Sequence, residues 1–325
     1  MKYIALELLR TLGIASLLAP ALVFAQAYPS KPVRVLVPFP AASIPDIVAR
    51  QVIDKAGPAL GQPVIVENRV GAGGRIAATV VAKAAPDGYT LLLGSASTHV
   101  VAPHLVKSMP YDSFHDFTPI TNTSSAATGV VVNAALPVNS IKELVEYAKK
   151  NPGKVAFGTN GIGSTHHLRG ELIKMAAGID MIHVPFGGSN ELVTAVLAGT
   201  VHMTFSVPGA MRQFIQAGKV RLIAMTTPKR YAALPNVPTV EEDLPAYESF
   251  SDWFAFFGPG GLARPIVNRL NSEMVKALNL PEVRTALEGQ SLQVIASTPE
   301  ELAQQMKKDF AIYARVVKAA GIQPE

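Results

Sequence analysis

From Val33 onward the chain alternates short, mostly apolar runs with longer stretches in which apolar residues return every three or four positions. The runs "VRVLV" (33–37), "VIVEN" (64–68) and "TLLLG" (90–94) lead in turn into a stretch near Pro45–Ala56, into "GAGGRIAATVVAKAA" and into "SASTHVVAPHL". The pattern resumes with "VAFGT" (155–159), "MIHVPF" (181–186), "VHMTFS" (201–206) and "VRLIAMT" (220–226), separated by "STHHLRGELIKMAAG", "SNELVTAVLAG" and "PGAMRQFIQAG". Short runs without strict polar alternation suit strands buried on both faces, and the periodic stretches suit amphipathic helices. Their alternation predicts an α/β fold of parallel or mixed sheets flanked by helices. Gly178, Gly199 and Gly218 stand where helices should end, a position that favours a left-handed residue.

Two passages break this rhythm. "FTPITNTSSAATGVVVN" (117–133) and "ESFSDWFAFFGPGG" (248–261) are extended and lack a helical period. They read as the chain leaving one α/β unit for another and returning. The expected division is 26–123 with 248–325 as the first domain and 124–247 as the second. The C-terminal stretches "PIVNRLNSEMVKALN", "PEVRTALEG" and "TPEELAQQMKKDFAIYARVVKAAG" are helical and would close the first domain. The product is a two-lobed, hinged protein with a cleft between its lobes.

The N-terminus changes the setting. Lys2 and Arg10 precede a mostly apolar segment, Thr11–Phe24, with small residues at Ala25 and Ala27. That is the layout of a secretory signal, here residues 1–25, cut after Ala25 or Ala27. Charged residues are 16% against 49% hydrophobic, so the remaining chain can bury a large core. The net charge of +5 comes from scattered basic residues, which does not provide the concentrated face that nucleic acid needs. Zero cysteines excludes disulfides, thiol catalysis and cysteine metal sites.

In open parallel sheets ligands lie beyond the carboxyl ends of the strands. The residues there are Phe39, Ala42, Ser43 and Ile44 after the first strand, and Ser95 and Thr98 after the third. Later ones are Thr159, Asn160, Gly163, Ser164 and Thr165, then Phe186, Gly187 and Ser189, then Phe205 and Ser206. Hydroxyls, glycines, backbone amides and aromatic rings dominate, with almost no cations. Helix N-termini and hydroxyls of this kind can hold a carboxylate through dipoles and bridging water. The competing reading is plain helix capping. "SIPD" is a Ser-x-x-Asp capping box in which Ser43 accepts from the Asp46 N–H and the Asp46 carboxylate reaches back. "GAGGRIA" (71–77) misses the dinucleotide spacing at Ile76, so no cofactor is expected. His166 and His167 are adjacent on a helix and face different ways, so no metal is expected either. Neither G-x-S-x-G nor H-E-x-x-H occurs. A secreted hydrolase would have to assemble its Ser and His from distant positions.

The stretches "YPSKPVRVLVPF…PDIVARQV", "VIVENRVGAGGRIAATVVAKAAPDGYTLLLGS", "FGTNGIGSTHHLRGEL", "HVPFGGSNELVTAVLAGTVHM" and "VRLIAMTTPKRYAALPNVPTVEED" resemble, in order, the sequence blocks of the Bug family. These are periplasmic solute-binding receptors of tripartite tricarboxylate transporters. The resemblance implies a two-lobed periplasmic binding protein, type II-like, that closes on a small carboxylate without catalysis. It would deliver the ligand to the membrane components of such a transporter, or as an alternative to a sensor kinase. We expect a monomer.

Carried over, Phe39 through Asp46 match the family's first ligand loop. Thr159, Gly163, Ser164 and His167 match the second, and Phe186 through Ser189 the third. This chain departs from the family at Ala42-Ser43, where relatives usually carry glycines, at Phe186, where Tyr is frequent, and at Ser206, where Asp is frequent. These losses of polar partners point to a ligand with an apolar or aromatic body, held between Phe39, Ile44, Phe186 and Phe205. An aromatic dicarboxylate of the terephthalate kind comes first and a linear aliphatic diacid second.

Overall fold

The computed structural model describes residues 28–186 and 189–324. The expected signal segment and Gly187 therefore lie outside the described residues. Two mixed sheets are present. The first is built from β1 (Val33–Val37), β2 (Val64–Asn68), β3 (Thr90–Ser95), β4 (Phe117–Ala126), β10 (Trp253–Pro259) and β11 (Leu292–Val294), in the order β11-β4-β10-β3-β1-β2. The second contains β5 (Gly129–Asn133), β6 (Ala156–Thr159), β7 (Ile182–Pro185), β8 (Met203–Ser206) and β9 (Val220–Met225), in the order β7-β6-β8-β5-β9.

Within each sheet the strands joined by helices run parallel: β1 with β2 and β3, and β6 with β7 and β8. The antiparallel members are the passages without helical period. β10 runs against β3 and β4, and β5 runs against β8 and β9. The chain changes sheets between Ala126 and Gly129 and returns ahead of Trp253. Both crossings lie side by side, since the Ala126 N–H donates to the Asp252 carbonyl at 2.9 Å.

Helices cover both faces of the first sheet, and alternate side chains of each central strand fill separate cores. Val33, Val35 and Val37 pack with Val48, Val52 and Ile53 of α1 (Ile44–Leu60) and with Leu270 and Met274 of α9 (Arg264–Leu278). Leu36 and Leu92 face the other way, toward Ala78 and Val81 of α2 (Arg75–Ala82) and Tyr313 and Val316 of α11 (Pro299–Ala319). This two-sided burial is why the strands read as continuous apolar runs. The second sheet is flanked by α4 (Ile141–Lys150), α5 (Thr165–Ala177), α6 (Ser189–Ala198) and α7 (Pro208–Gln216). Between β3 and β4 the one α-helix is short, α3 (Ala102–Leu105), and ahead of β10 and β11 lie α8 (Val240–Asp243) and α10 (Pro281–Gly289).

One expected helix is irregular. "SASTHVVAPHL" forms a wide π-type turn at Ser97–Val101 before α3 begins. Thr98 Oγ1 donates to the Ser95 carbonyl at 3.0 Å, and the Tyr111 hydroxyl occupies the Thr98 carbonyl at 2.7 Å. Side chains thus take acceptors that an α-helical ladder would have used. Among the described residues no helix is long and apolar enough to cross a membrane.

Candidate functional site

β1 ends at Val37, and Pro38-Phe39-Pro40 turns the chain outward. Ala42 then adopts a left-handed conformation, φ 61°, which a residue with a Cβ holds only against a steric cost. A buried carboxylate holds the turn. Asp46, 2% exposed, accepts from the Ala42 N–H at 2.9 Å, from Asn68 Nδ2 at 2.8 Å and from Arg50 Nε at 3.0 Å. Burial pushes its carboxyl up, but the bonds from Arg50, Asn68 and Ala42 outweigh this and keep it below the usual range.

The expected capping box does not form. Ser43 caps α1 by position only, since its hydroxyl donates to the Pro40 carbonyl at 2.6 Å and takes nothing from the helix. Asp46 has three donors, from Ala42, Asn68 and Arg50, and all lie outside the Ser-x-x-Asp motif. They draw its carboxylate away from the Ser43 amide. Asp46 accordingly shapes the loop and does not line the cavity in front of it.

That cavity, about 440 Å³, is where the loops meet. Its first wall comes from the first sheet: Phe39, Ile44 and Pro45 at the start of α1, and Ser95, Ala96 and Ser97 after β3. The second sheet adds Thr165, the first residue of α5, and Val207, the N-cap of α7. Three helices thus direct their N-terminal ends at one space. The first amides of a helix have no intrahelical acceptor and carry partial positive charge. Among the described residues, none of the lining side chains is a lysine or arginine. The buried cation Arg169 stands behind Asp252 and is paired with it, which leaves backbone dipoles to face the cavity.

The back wall is aromatic and was missed as a wall from sequence. Trp253 and Phe254 at the start of β10 border the cavity, and Phe254 meets Phe39 edge-on at 6.2 Å. Trp253 also packs in the hinge core, with its indole Nε1 donating to Asp309 Oδ2 at 2.9 Å. Asp252 is the one charged lining residue among those described. Its Oδ2 accepts from Arg169 Nη1 at 2.8 Å, and Arg169 is 1% exposed. An acidic residue immediately ahead of the apolar run Trp253–Phe257 was the available signal.

Phe39, Ile44, Ser95 and Thr165 line the cavity as expected. Others do not. Thr98 is fully buried behind Ser95, exchanging hydrogen bonds with it. Phe205 is 1% exposed and packs in the core under the second sheet, so it cannot act as a wall. Phe186 is half-buried against Leu192 and Val201 in a separate cluster, and its N–H donates to the Thr159 carbonyl at 2.9 Å. Ser206 is half-buried with its hydroxyl directed to the Val207 carbonyl, and Asn160 is exposed; Ser189 opens α6, and its side chain lies outside those described. Ala42 is exposed and Ser43 half-buried, and neither borders this cavity.

The second loop is organised around two imidazoles. Ser164 caps α5, accepting from the His167 N–H at 3.2 Å and donating to the Gly161 carbonyl at 2.8 Å. His167 Nδ1 accepts from the Gly163 N–H at 3.1 Å. The His167 ring stacks on His183 with centroids 3.7 Å apart, and His183 Nε2 lies 2.6 Å from the buried Thr159 hydroxyl. Gly163 and His167 border a separate cavity of about 790 Å³ that also touches the end of α11. Burial pushes both imidazoles down to about 4.

A cavity at the meeting of strand carboxyl ends and helix N-termini, shared by two mixed sheets, is the layout of a hinged solute receptor. Residues 48–322 match the profile of the tripartite tricarboxylate transporter family receptors, TctC. The chain belongs to this family. It is 34% identical to the protein BugT of Bordetella pertussis over 322 residues, covering 97% of this chain and 98% of BugT. Among solved structures, the periplasmic binding protein BugD is 33% identical with a TM-score of 0.67, covering 92% of this chain and all of that one. R. palustris Rpa4515, solved with adipate, is 31% identical with a TM-score of 0.72, over 92% of this chain and all of that one. The two mixed sheets flanked by helices are the fold of these TctC-family receptors.

Proposed function

We propose that this TctC-family receptor works in the periplasm, capturing a small carboxylate with an apolar body and handing it to the membrane components of a tripartite transporter without altering it. The observation that carries this reading is the convergence of the α1, α5 and α7 N-termini from two sheets on a cavity without a cationic side chain. Such a site favours an anion through preorganised dipoles, and bridging water completes the contacts. The adipate bound by Rpa4515 supports the same ligand class. Phe39, Ile44, Phe254 and Leu292 would pack the ligand body. On these walls alone, an aromatic body suits the cavity ahead of a linear aliphatic one. The lobes 26–123 with 248–325 and 124–247 would close about the paired crossings next to Asp252.

Trp253 is the only tryptophan and borders the cavity, so its fluorescence should report occupancy. A titration with mono- and dicarboxylates, run beside a thermal-shift screen, tests the proposal. A binding acid should change the emission and raise the melting temperature, because it binds only the folded state. It should also be recovered chemically intact after prolonged incubation. A panel in which sugars or amines bind and no carboxylate does would refute the reading.

A further inference from the structure

Asp252 has no part in holding an anion, yet it borders the cavity where the anion is proposed to sit. Its carboxylate is fixed from one side only. Oδ2 takes the Arg169 hydrogen bond, and Arg169 is itself immobilised: its Nε donates to Thr226 Oγ1 at 3.0 Å and its guanidinium lies 4.5 Å from the centre of the Phe250 ring. The fully buried guanidinium stays charged and is matched by the one carboxylate beside it. The Asp252 side chain is 21% exposed. Among the described residues nothing donates to its Oδ1, and that atom is absent from the buried groups without partners, so it meets solvent.

Filling the cavity expels water from around this oxygen. A carboxylate oxygen cut off from water needs a donor, or binding weakens. Of the lining groups, Trp253 Nε1 is already committed to Asp309, and none of Ser95, Ser97, Thr165 and Gln290 donates to this oxygen in the structure. A second acid group of the ligand placed there would meet a like charge with no spare cation.

We propose that Asp252 is a specificity-determining residue whose Oδ1 accepts a hydrogen bond from a hydroxyl or ammonium group of the ligand. The ligand is then an apolar-bodied carboxylate bearing one such donor, and not a plain diacid. This rests on the carboxylate-receptor reading and narrows it. It also reverses the preference for a terephthalate-like ligand, because that preference came from loops in which Asp252 was not recognised.

Calorimetry on the wild-type protein with two matched series tests it. One series is 4-methylbenzoate, 4-(hydroxymethyl)benzoate, 4-(aminomethyl)benzoate and terephthalate. The other is hexanoate, 6-hydroxyhexanoate, 6-aminohexanoate and adipate. The expected result is that, in the series that binds, a donor-bearing acid binds at least tenfold tighter than both the methyl parent and the diacid. The hydroxyl and amino members tell the two donor types apart. A diacid or methyl parent that binds equally or more tightly overturns the inference and leaves the carboxylate reading standing. Failure of every acid in both series overturns both. In Asp252→Asn the advantage of the donor should shrink to threefold or less and the diacid should gain. The wild-type comparison decides the question even where that variant folds poorly.

Discussion

Acidification from pH 7 to pH 5 probes four imidazoles that the fold keeps neutral. His99 is fully buried, stacked on Phe257 with centroids 4.1 Å apart and edge-on to Phe117 at 4.7 Å. Burial drives its pKa down to about 3. His166 is pushed down to about 4, by burial first and then by the Arg169 charge. His167 and His183 are held at about 4 by burial, reinforced for His183 by its stacked neighbour. In the unfolded chain each would titrate near the ordinary value of about 6.5. Between these values the unfolded state binds more protons than the folded one, so stability is full above the unfolded value and falls as the pH drops.

Over this interval one imidazole that stays neutral in the fold loses about 1.9 kcal/mol of stability. His99 and His166 together therefore lose about 4 kcal/mol, and the partly solvated His167–His183 pair about 2 more. Asp309 acts in the opposite sense. Burial raises its carboxyl to about 6 against the bonds from Gln305 and Trp253. Its folded form takes up a proton first and returns about 1.4 kcal/mol on acidification. The net loss is about 3–5 kcal/mol, a large share of an ordinary domain's stability. Urea unfolding followed by Trp253 emission should show a midpoint lower at pH 5 by about 1 M. The His99 ring protons should not titrate above pH 4 by NMR. Equal midpoints at the two pH values, or a His99 that titrates near 6.5, would refute the reasoning.

Arg169→Met should lower stability by about 1–3 kcal/mol, since it removes the charged hydrogen-bond partner of the partly exposed Asp252 carboxylate, and chemical denaturation would measure this. Ser164→Ala removes the α5 cap and should cost about 1 kcal/mol in unfolding free energy. Its ligand affinity should change less than its stability, because the hydroxyl is already engaged with Gly161 and His167. Phe39→Ala removes an aromatic wall and its edge contact with Phe254. It should weaken an aromatic acid about tenfold in a fluorescence titration, which is about 1.4 kcal/mol.

Periodicity along the chain was enough to specify the strand–helix alternation, the two crossings and the loops at strand ends. Each of those features is local: an apolar run buried on both faces, a helix with one apolar stripe, a glycine such as Gly178 at φ 62° closing a helix. The same local logic placed Phe39, Ile44, Ser95 and Thr165 where the cavity opens, because a residue that ends a strand and opens a helix must stand at that sheet edge. It failed wherever the deciding partner was distant. Asp46 in its motif looked like one half of a capping box, but Asn68, from the end of β2, helped pull it into the loop core. Phe205 and Phe186 were plausible walls until the pairing of β8 with β5 and β6 turned one toward the core and the packing around Leu192 took the other. Asp252 belongs to the cavity only because β10 returns between β3 and β4 and α5 brings Arg169 against it, a contact spanning 83 residues. Sequence determined which segments could bear dipoles and apolar walls. Tertiary structure decided which of them face the same space, since that depends on sheet order and side-chain direction, which local patterns do not encode.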